Sequence, residues 1–374
     1  MSTNTKTILW VVVLIIIIGG GYMLYNSNRE PADTSPIKIG FIGPLTGDGS
    51  SIGTVNRVAV EIAAEEINQK GGVEGRKLEV VYEDGRCDST TATKAANKLI
   101  NIDKVSAIVG GLCSSETSAF GPAAMDSKVI VFSYGSSAPS LSKLGKYFFR
   151  SYPSDSFQGI FAAEYAYNTL RARKVAILYH NNDWGTGIKD VFIKRFKELG
   201  GEILVEEGAP QTVKDYRTQL AKIKDVKADV IYAPLYPDGS IVALTQAQNL
   251  GISTVFLGGD AWGDPKMQQA VSGRGTLYFV EADMLLTDEF KAKILARSGG
   301  DQVPLGTANA YDNVYIIASA IAKAGTDPDM LANTIRATRY TGISGNIEFD
   351  ENGDLKTASY VVKKIENGSA VVVK

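Results

Sequence analysis

From Ile37 onward, short apolar runs alternate with segments of helical period, and this alternation limits the fold more than any other feature of the chain. Residues 37–43, 78–84, 106–111 and 129–133 read as strands. Between the first two, Ile52, Val55, Ala59, Ile62, Ala63, Glu66 and Ile67 recur at helical spacing, and Gly71-Gly72 stops that helix. Further helices are predicted over 89–102 and 115–126. A loop rich in Ser, Gly and Pro comes next at 135–142, then a helix reaching about Leu170. A second series has strands at 175–179, 202–206, 229–233, 254–257 and 276–280, with helices near 185–199, 214–225 and 238–250. Helices near 287–297, 305–324 and 328–338, a segment at 346–350 and a last strand at 359–365 complete the chain. Strands joined through helices lie parallel, so each series predicts a doubly wound sheet. The 374 residues suffice for two such sheets. The expected class is α/β, with two doubly wound parallel-sheet lobes behind an N-terminal membrane helix.

The N-terminus departs from this pattern. No charged residue occurs from Thr7 to Asn28, and Ile8 to Ile18 is wholly apolar. As a helix, 8–25 would be about 27 Å long, close to the roughly 30 Å of a bilayer's hydrocarbon. Lys6 and the terminal amine precede it, which favours export of the chain beyond it. A transmembrane anchor and a cleaved signal peptide both fit. Gly19 and Gly21 are small enough for processing, but no A-x-A pattern comes after them. No cysteine stands just after the run, as a bacterial lipoprotein signal would need. Residues 26–36 are polar, carry two prolines and read as a linker. The body is expected outside the cytoplasm.

Export bears on the cysteines. Cys87 and Cys113 are the only two, so a single pairing is possible, and an oxidising compartment favours it. Each follows a predicted strand, and neighbouring parallel strands end side by side. In the chain-entropy model such a bridge contributes roughly 3–4 kcal/mol. One histidine and two cysteines leave little for a metal site, and neither metal nor cofactor is expected. Lysine and arginine number 39 against 41 acids, with no basic run, which argues against nucleic acid.

Ligands of doubly wound sheets bind beyond the carboxyl ends of the strands. Gly110-Gly111-Leu112-Cys113-Ser114-Ser115 leads from a strand into a helix, where unpaired N–H groups and a positive dipole end suit a carboxylate. Ser114 or Ser115 could equally cap that helix. Gly135, Ser136 and Ser137 follow the next strand, though the two serines before Pro139 could simply prepare a helix start. In the second series, Trp184, Tyr236 and Asp260 follow strands. Their structural alternatives are rim packing, a turn at Tyr236-Pro237, and a cap for the helix near Asp264. Together the six residues Ser114, Gly135, Ser137, Trp184, Tyr236 and Asp260 suit a small zwitterion. Donors would hold its carboxylate, the acid its ammonium, and the aromatics its side chain.

Several motifs carry a family resemblance. They include Ile39-Gly40-Phe41-Ile42-Gly43-Pro44-Leu45-Thr46-Gly47, Ile67-Asn68-Gln69-Lys70-Gly71-Gly72-Val73-Glu74-Gly75 and Tyr82-Glu83-Asp84-Gly85-Arg86-Cys87-Asp88. Gly111 to Ser115, Phe149-Arg150, Asp183-Trp184-Gly185, Tyr236-Pro237-Asp238, Ala310-Tyr311-Asp312 and Gly353-Asp354-Leu355 continue the match. In these the chain resembles the leucine/isoleucine/valine-binding protein family, the type I periplasmic solute-binding proteins of ABC importers. The resemblance implies a ligand carboxylate on Ser114, a Ser137 that contacts both charged ends, an ammonium on the Gly135 carbonyl and Asp260, and closure by Tyr236 and Trp184. It implies lobes at 37–152 plus 284–340 and at 153–283 plus 341–374, with crossings near Tyr152, Asp283 and Thr341. Ile52 stands where branched-chain binders can carry an aromatic, and Gly135 where alanine is commoner, so the side-chain pocket is this chain's own.

The function expected from this resemblance is delivery of a small ligand, a branched-chain amino acid foremost, to an ABC permease and its ATPase, by a monomer tethered at the membrane. A ligand-sensing ectodomain of the same fold is the alternative. It would have to signal through a partner, because only about seven residues precede the apolar run. No P-loop, dinucleotide fingerprint or Ser/His/Asp set is present, so no enzyme activity is expected. The lone His180 ends a strand and reads as a structural or rim residue.

Overall fold

Strand β1 (Ile37–Gly43) is buried at six of its seven positions, as a strand covered on both faces must be. It belongs to a computed structural model that describes Trp10, residues 34–284 and residues 286–373. The expected membrane segment at 8–25, apart from Trp10, and the linker as far as residue 33 lie outside the described residues. Among those described, no helix is long and apolar enough to cross a membrane.

The chain continues through α1 (Ser50–Gln69), β2 (Leu78–Asp84), α2 (Ser89–Lys98), β3 (Ala107–Val109), α3 (Ser114–Asp126), β4 (Ile130–Ser133) and β5 (Phe148–Arg150). The five strands form one parallel sheet, order β2-β1-β3-β4-β5. The edge strand β5 has a sequence too short to stand out by period. After it come α4 (Asp155–Glu164), β6 (Lys174–His180), α5 (Asp183–Glu198), β7 (Glu202–Ala209), α6 (Arg217–Asp225), β8 (Val230–Ala233), α7 (Pro237–Asn249), β9 (Val255–Gly258), α8 (Pro265–Ala270) and β10 (Leu277–Ala282). The chain ends with α9 (Asp288–Ser298), α10 (Thr307–Ala324), α11 (Pro328–Arg336), the hairpin β11 (Arg339–Gly342) and β12 (Gly345–Glu348), and β13 (Tyr360–Glu366) with β14 (Ser369–Val372).

The second sheet runs β14-β13-β10-β9-β8-β6-β7. Five of its strands are parallel, but β13 pairs antiparallel with β10 and β14 antiparallel with β13. The expected parallel sheets are present, with β13 and β14 added antiparallel at one edge of the second. No helix separates β13 from β14, and a two-residue turn can only return the chain antiparallel.

The last passage between the sheets also differs from the expected position near Thr341. Asp312 on α10 accepts from Ile343 N (3.1 Å) and Ser344 N (2.7 Å), tying the hairpin to a helix that itself packs on α1. Phe349 sits edge-on against Phe132 and Phe149, and Asp354 binds Arg150 at 2.6 Å. Residues 339–355 thus stay with the first sheet, and the chain crosses just before β13. Buried aromatic and ionic contacts, both long-range, decide this.

Candidate functional site

Cys113, not a serine, is the residue that precedes the first turn of α3. The buried Glu116 carboxylate takes the N–H of Cys113 (3.1 Å) and of Cys87 (3.0 Å), and the two cysteines are bonded with Cα atoms 5.3 Å apart. Burial pushes Glu116 up to about 7, against the backbone donors that pull it down. The strands before the cysteines, β2 and β3, are not neighbours as expected, because β1 lies between them. The loops beyond the strands close the distance, Cys87 adopting a left-handed φ of 54°.

Ser114 is the first helical residue, and it does not cap. Its Oγ accepts from the N–H of Ser137 (3.2 Å) and of Ala138 (3.0 Å). A hydroxyl has two acceptor lone pairs and one proton. With both lone pairs engaged, Ser114 has its proton left to give. Ser136, behind it, joins Thr117 Oγ1 at 2.7 Å and donates to carbonyls of the loop after β3, which fixes the two loops to each other.

Ser137 is held differently. Its Oγ donates to Asp155 Oδ2 (2.8 Å), while Asp155 N donates back to the Ser137 carbonyl (2.8 Å). Asp155 opens α4, the first helix after the chain leaves the first sheet. One turn on, Gln158 Oε1 accepts from Asp260 N at 3.3 Å. The first turns of α4 therefore brace both Ser137 and Asp260. Neither Asp155 nor Gln158 was named from sequence, since an acid in the first turn of a helix is ordinarily explained by the dipole.

On the other side, Trp184 and Tyr236 stack with centroids 4.8 Å apart and planes 8° apart. Asn182 caps α5 through Gly185 N, setting Trp184 in the first turn. Tyr236 N donates to His180 Nδ1 (3.1 Å), so the ring proton lies on Nε2, 2.9 Å from the Tyr216 hydroxyl. Burial pushes His180 down to about 3, and the neutral ring is a brace for Tyr236. Asp264, not Asp260, caps α8, accepting from Met267 N at 2.7 Å. Asp260 is thus released from the role that would have explained it away. It is 4% exposed, and burial pushes it up to about 6. Burial, and then the charge of Asp260, push Asp155 well above the usual carboxylate range. Arg150, whose charge acts on Asp155, is already held by Asp354.

Ser114, Gly135, Ser137, Trp184, Tyr236 and Asp260 line one cleft. Ile52, Leu112, Leu305 and the Cys87–Cys113 bridge give it an apolar wall. Leu112 and Leu305 were not expected from sequence. A Cβ on Gly135 would lie 2.6 Å from Leu112 Cδ1, so glycine there keeps Leu112 in place. Tyr134 points away from the cleft: it stacks on Phe41 and its hydroxyl donates to the Ile42 carbonyl.

A profile of the periplasmic binding protein family matches residues 36–369. The chain belongs to this family. It is 33% identical over 350 residues to the leucine-, isoleucine-, valine-, threonine- and alanine-binding protein of Pseudomonas aeruginosa, covering 90% of this chain and 91% of that one. The crystal structure of a leucine binding protein from Thermotoga maritima superposes with a TM-score of 0.82 at 31% identity, covering 90% of this chain and 98% of that one. A branched-chain amino acid transporter substrate binding protein of Streptococcus pneumoniae, solved with isoleucine, gives 0.80 at 27%, covering 91% and 99%. In this member of the family the cleft lies between the two α/β sheets.

Proposed function

We propose that this protein is the solute-binding component of an ABC importer and that its ligand is an α-amino acid with a small aliphatic side chain. One observation carries the reading: the cleft offers a proton donor at one end, the buried acid Asp260 at the other and an apolar wall beside them. A buried charge without a partner is costly, and Asp260 stays ionised most easily when a cation arrives. An ammonium supplies that cation. The α-carboxylate then meets Ser114 at the start of α3, where the dipole is positive. The Gly135 carbonyl, Ser137 and Asp260 receive the ammonium, and Trp184 and Tyr236 cover the side chain. Leucine or isoleucine is named for each of the relatives above.

In this reading the first sheet with α9–α11 and the hairpin forms one lobe, and the second sheet forms the other. They close on the ligand as hinged bodies, as a monomer, and an ABC permease with its ATPase takes the ligand from the closed form. The apolar run at 8–25 holds the protein at the outer face of the membrane. Calorimetric titration of the purified protein with the twenty amino acids is the test. Saturable binding of leucine, isoleucine or valine is expected, and binding of none of the twenty would refute the amino-acid reading while leaving the fold untouched.

A further inference from the structure

Asp155 is fully buried, and its second oxygen, Oδ1, has no hydrogen-bond partner. Its first oxygen holds the proton of Ser137, a residue that lines the cleft, and the Asp155 side chain itself does not line it. We infer that Asp155 is a positioning residue that fixes the Ser137 hydroxyl as a hydrogen-bond acceptor and so decides which end of a zwitterionic ligand lies against it. This rests on the amino-acid reading above and deepens it.

The argument is a count of protons. Ser114 and Ser137 carry the same hydroxyl and stand on adjoining loops, yet their surroundings set them opposite tasks. Ser114 receives two N–H groups and keeps its proton for the ligand. Ser137 gives its proton to Asp155 and keeps lone pairs for the ligand. A carboxylate at Ser137 would meet lone pair against lone pair. An ammonium there meets an acceptor, with Asp260 beyond it. The charged and titratable groups acting around Asp155 are Asp260, Arg150 and the hydroxyls of Tyr232, Tyr236 and Tyr360. Arg150 is committed to Asp354. In the empty cleft the charge of Asp260 adds to burial in raising Asp155. An ammonium between Ser137 and Asp260 offsets that charge, and an ionised Asp155 can only accept.

The test compares each of L-leucine, L-isoleucine and L-valine with the same acid lacking its amino group, by calorimetry on wild type, Asp155→Asn, Ser137→Ala and the double variant. Asp155→Asn is expected to lower affinity for the amino acid at least tenfold and to leave the deaminated acid unchanged or tighter. The ratio of the two affinities therefore falls. Ser137→Ala should lower the same ratio, and the double variant should lose little more than either single one, because both act through one hydroxyl. Equal weakening of both ligands by Asp155→Asn would mean structural support alone and would overturn the proposal, as would additive losses. If Asp155→Asn does not fold, Ser137→Ala carries the test, and an unchanged ratio in it overturns the proposal. A wild type that binds none of the amino acids overturns the functional reading and this proposal with it, an outcome distinct from an unchanged ratio.

Discussion

Asp260 is the residue on which the proposed chemistry of the cleft turns, and its burial makes two opposite predictions. Toward an amino acid, Asp260→Asn removes the partner of a buried ammonium, a loss of roughly 2–5 kcal/mol, or about 30-fold or more in Kd. Toward the empty protein the sign reverses. Asp260 titrates near 6 in the fold and near 3.9 when unfolded, so below about pH 4 both states are protonated and the group is neutral to stability. As pH rises through 6 the folded state must ionise a buried acid, and stability is lost. Asp260→Asn should then stabilise ligand-free protein by up to about 3 kcal/mol at pH 7.5 and by nothing near pH 4, read as the shift in denaturation midpoint. Binding carries the same signature. From pH 7 to pH 5 the cleft gains a proton that the ammonium must displace, and affinity should fall about tenfold. A flat profile would show that Asp260 does not pair with the ligand. Asp260 was legible in the sequence because it follows a strand, where ligands of such sheets bind. Asp155 was not, because what buries it is the loop at 135–138, brought over α4 by the tertiary fold.

At the scale of elements, the loops that leave β3 and β4 are built as one piece. The disulfide closes a span of 26 residues, and reducing it should cost roughly 3–4 kcal/mol in the chain-entropy model. The bridge also forms part of the cleft wall and anchors the start of α3 through Glu116. Cys87→Ser with Cys113→Ser should therefore weaken amino-acid binding as well as lower Tm, and loss of stability with full affinity would separate the two roles. Gly135→Ala would press on Leu112 at 2.6 Å and drive it toward the cleft. Overpacking of this kind commonly costs about 1–3 kcal/mol. Binding of leucine should suffer more than binding of alanine, measured side by side by calorimetry. The strands and helices of the βα series were legible because each carries its own period. The hairpin β11–β12, the edge strand β5 and the final strand β14 were not, since each is only three or four residues long, too short to show a period.

Over the whole molecule, the cleft is spanned by polar contacts that need no ligand. Asp48, on the loop after β1, accepts from Gln211 Nε2 and from Asp238 N at the head of α7, each at 3.3 Å, and Ser51 donates to Asp264. Asp48 is thus a cap supplied to α7 from the other side of the cleft. Asp48→Ala should favour the open form by about 1 kcal/mol, the usual worth of a cap. Small-angle scattering should then find a larger radius of gyration without ligand, and affinity should drop severalfold although Asp48 lies outside the ligand cleft. An unchanged radius and affinity would deny these contacts a part in closure.

The chain's order of assembly has a consequence for its manufacture. Helices α9–α11, which complete the packing around α1 and the first sheet, arrive only with residues 288–336, and the strands that finish the second arrive with residues 360–372. Domains usually fold in turn as a chain emerges from the ribosome. Here neither half has all its parts until synthesis is almost over. On the export reading proposed above, a topology that crosses between its halves three times would keep the protein threadable while it is made and let it lock only after it has passed through.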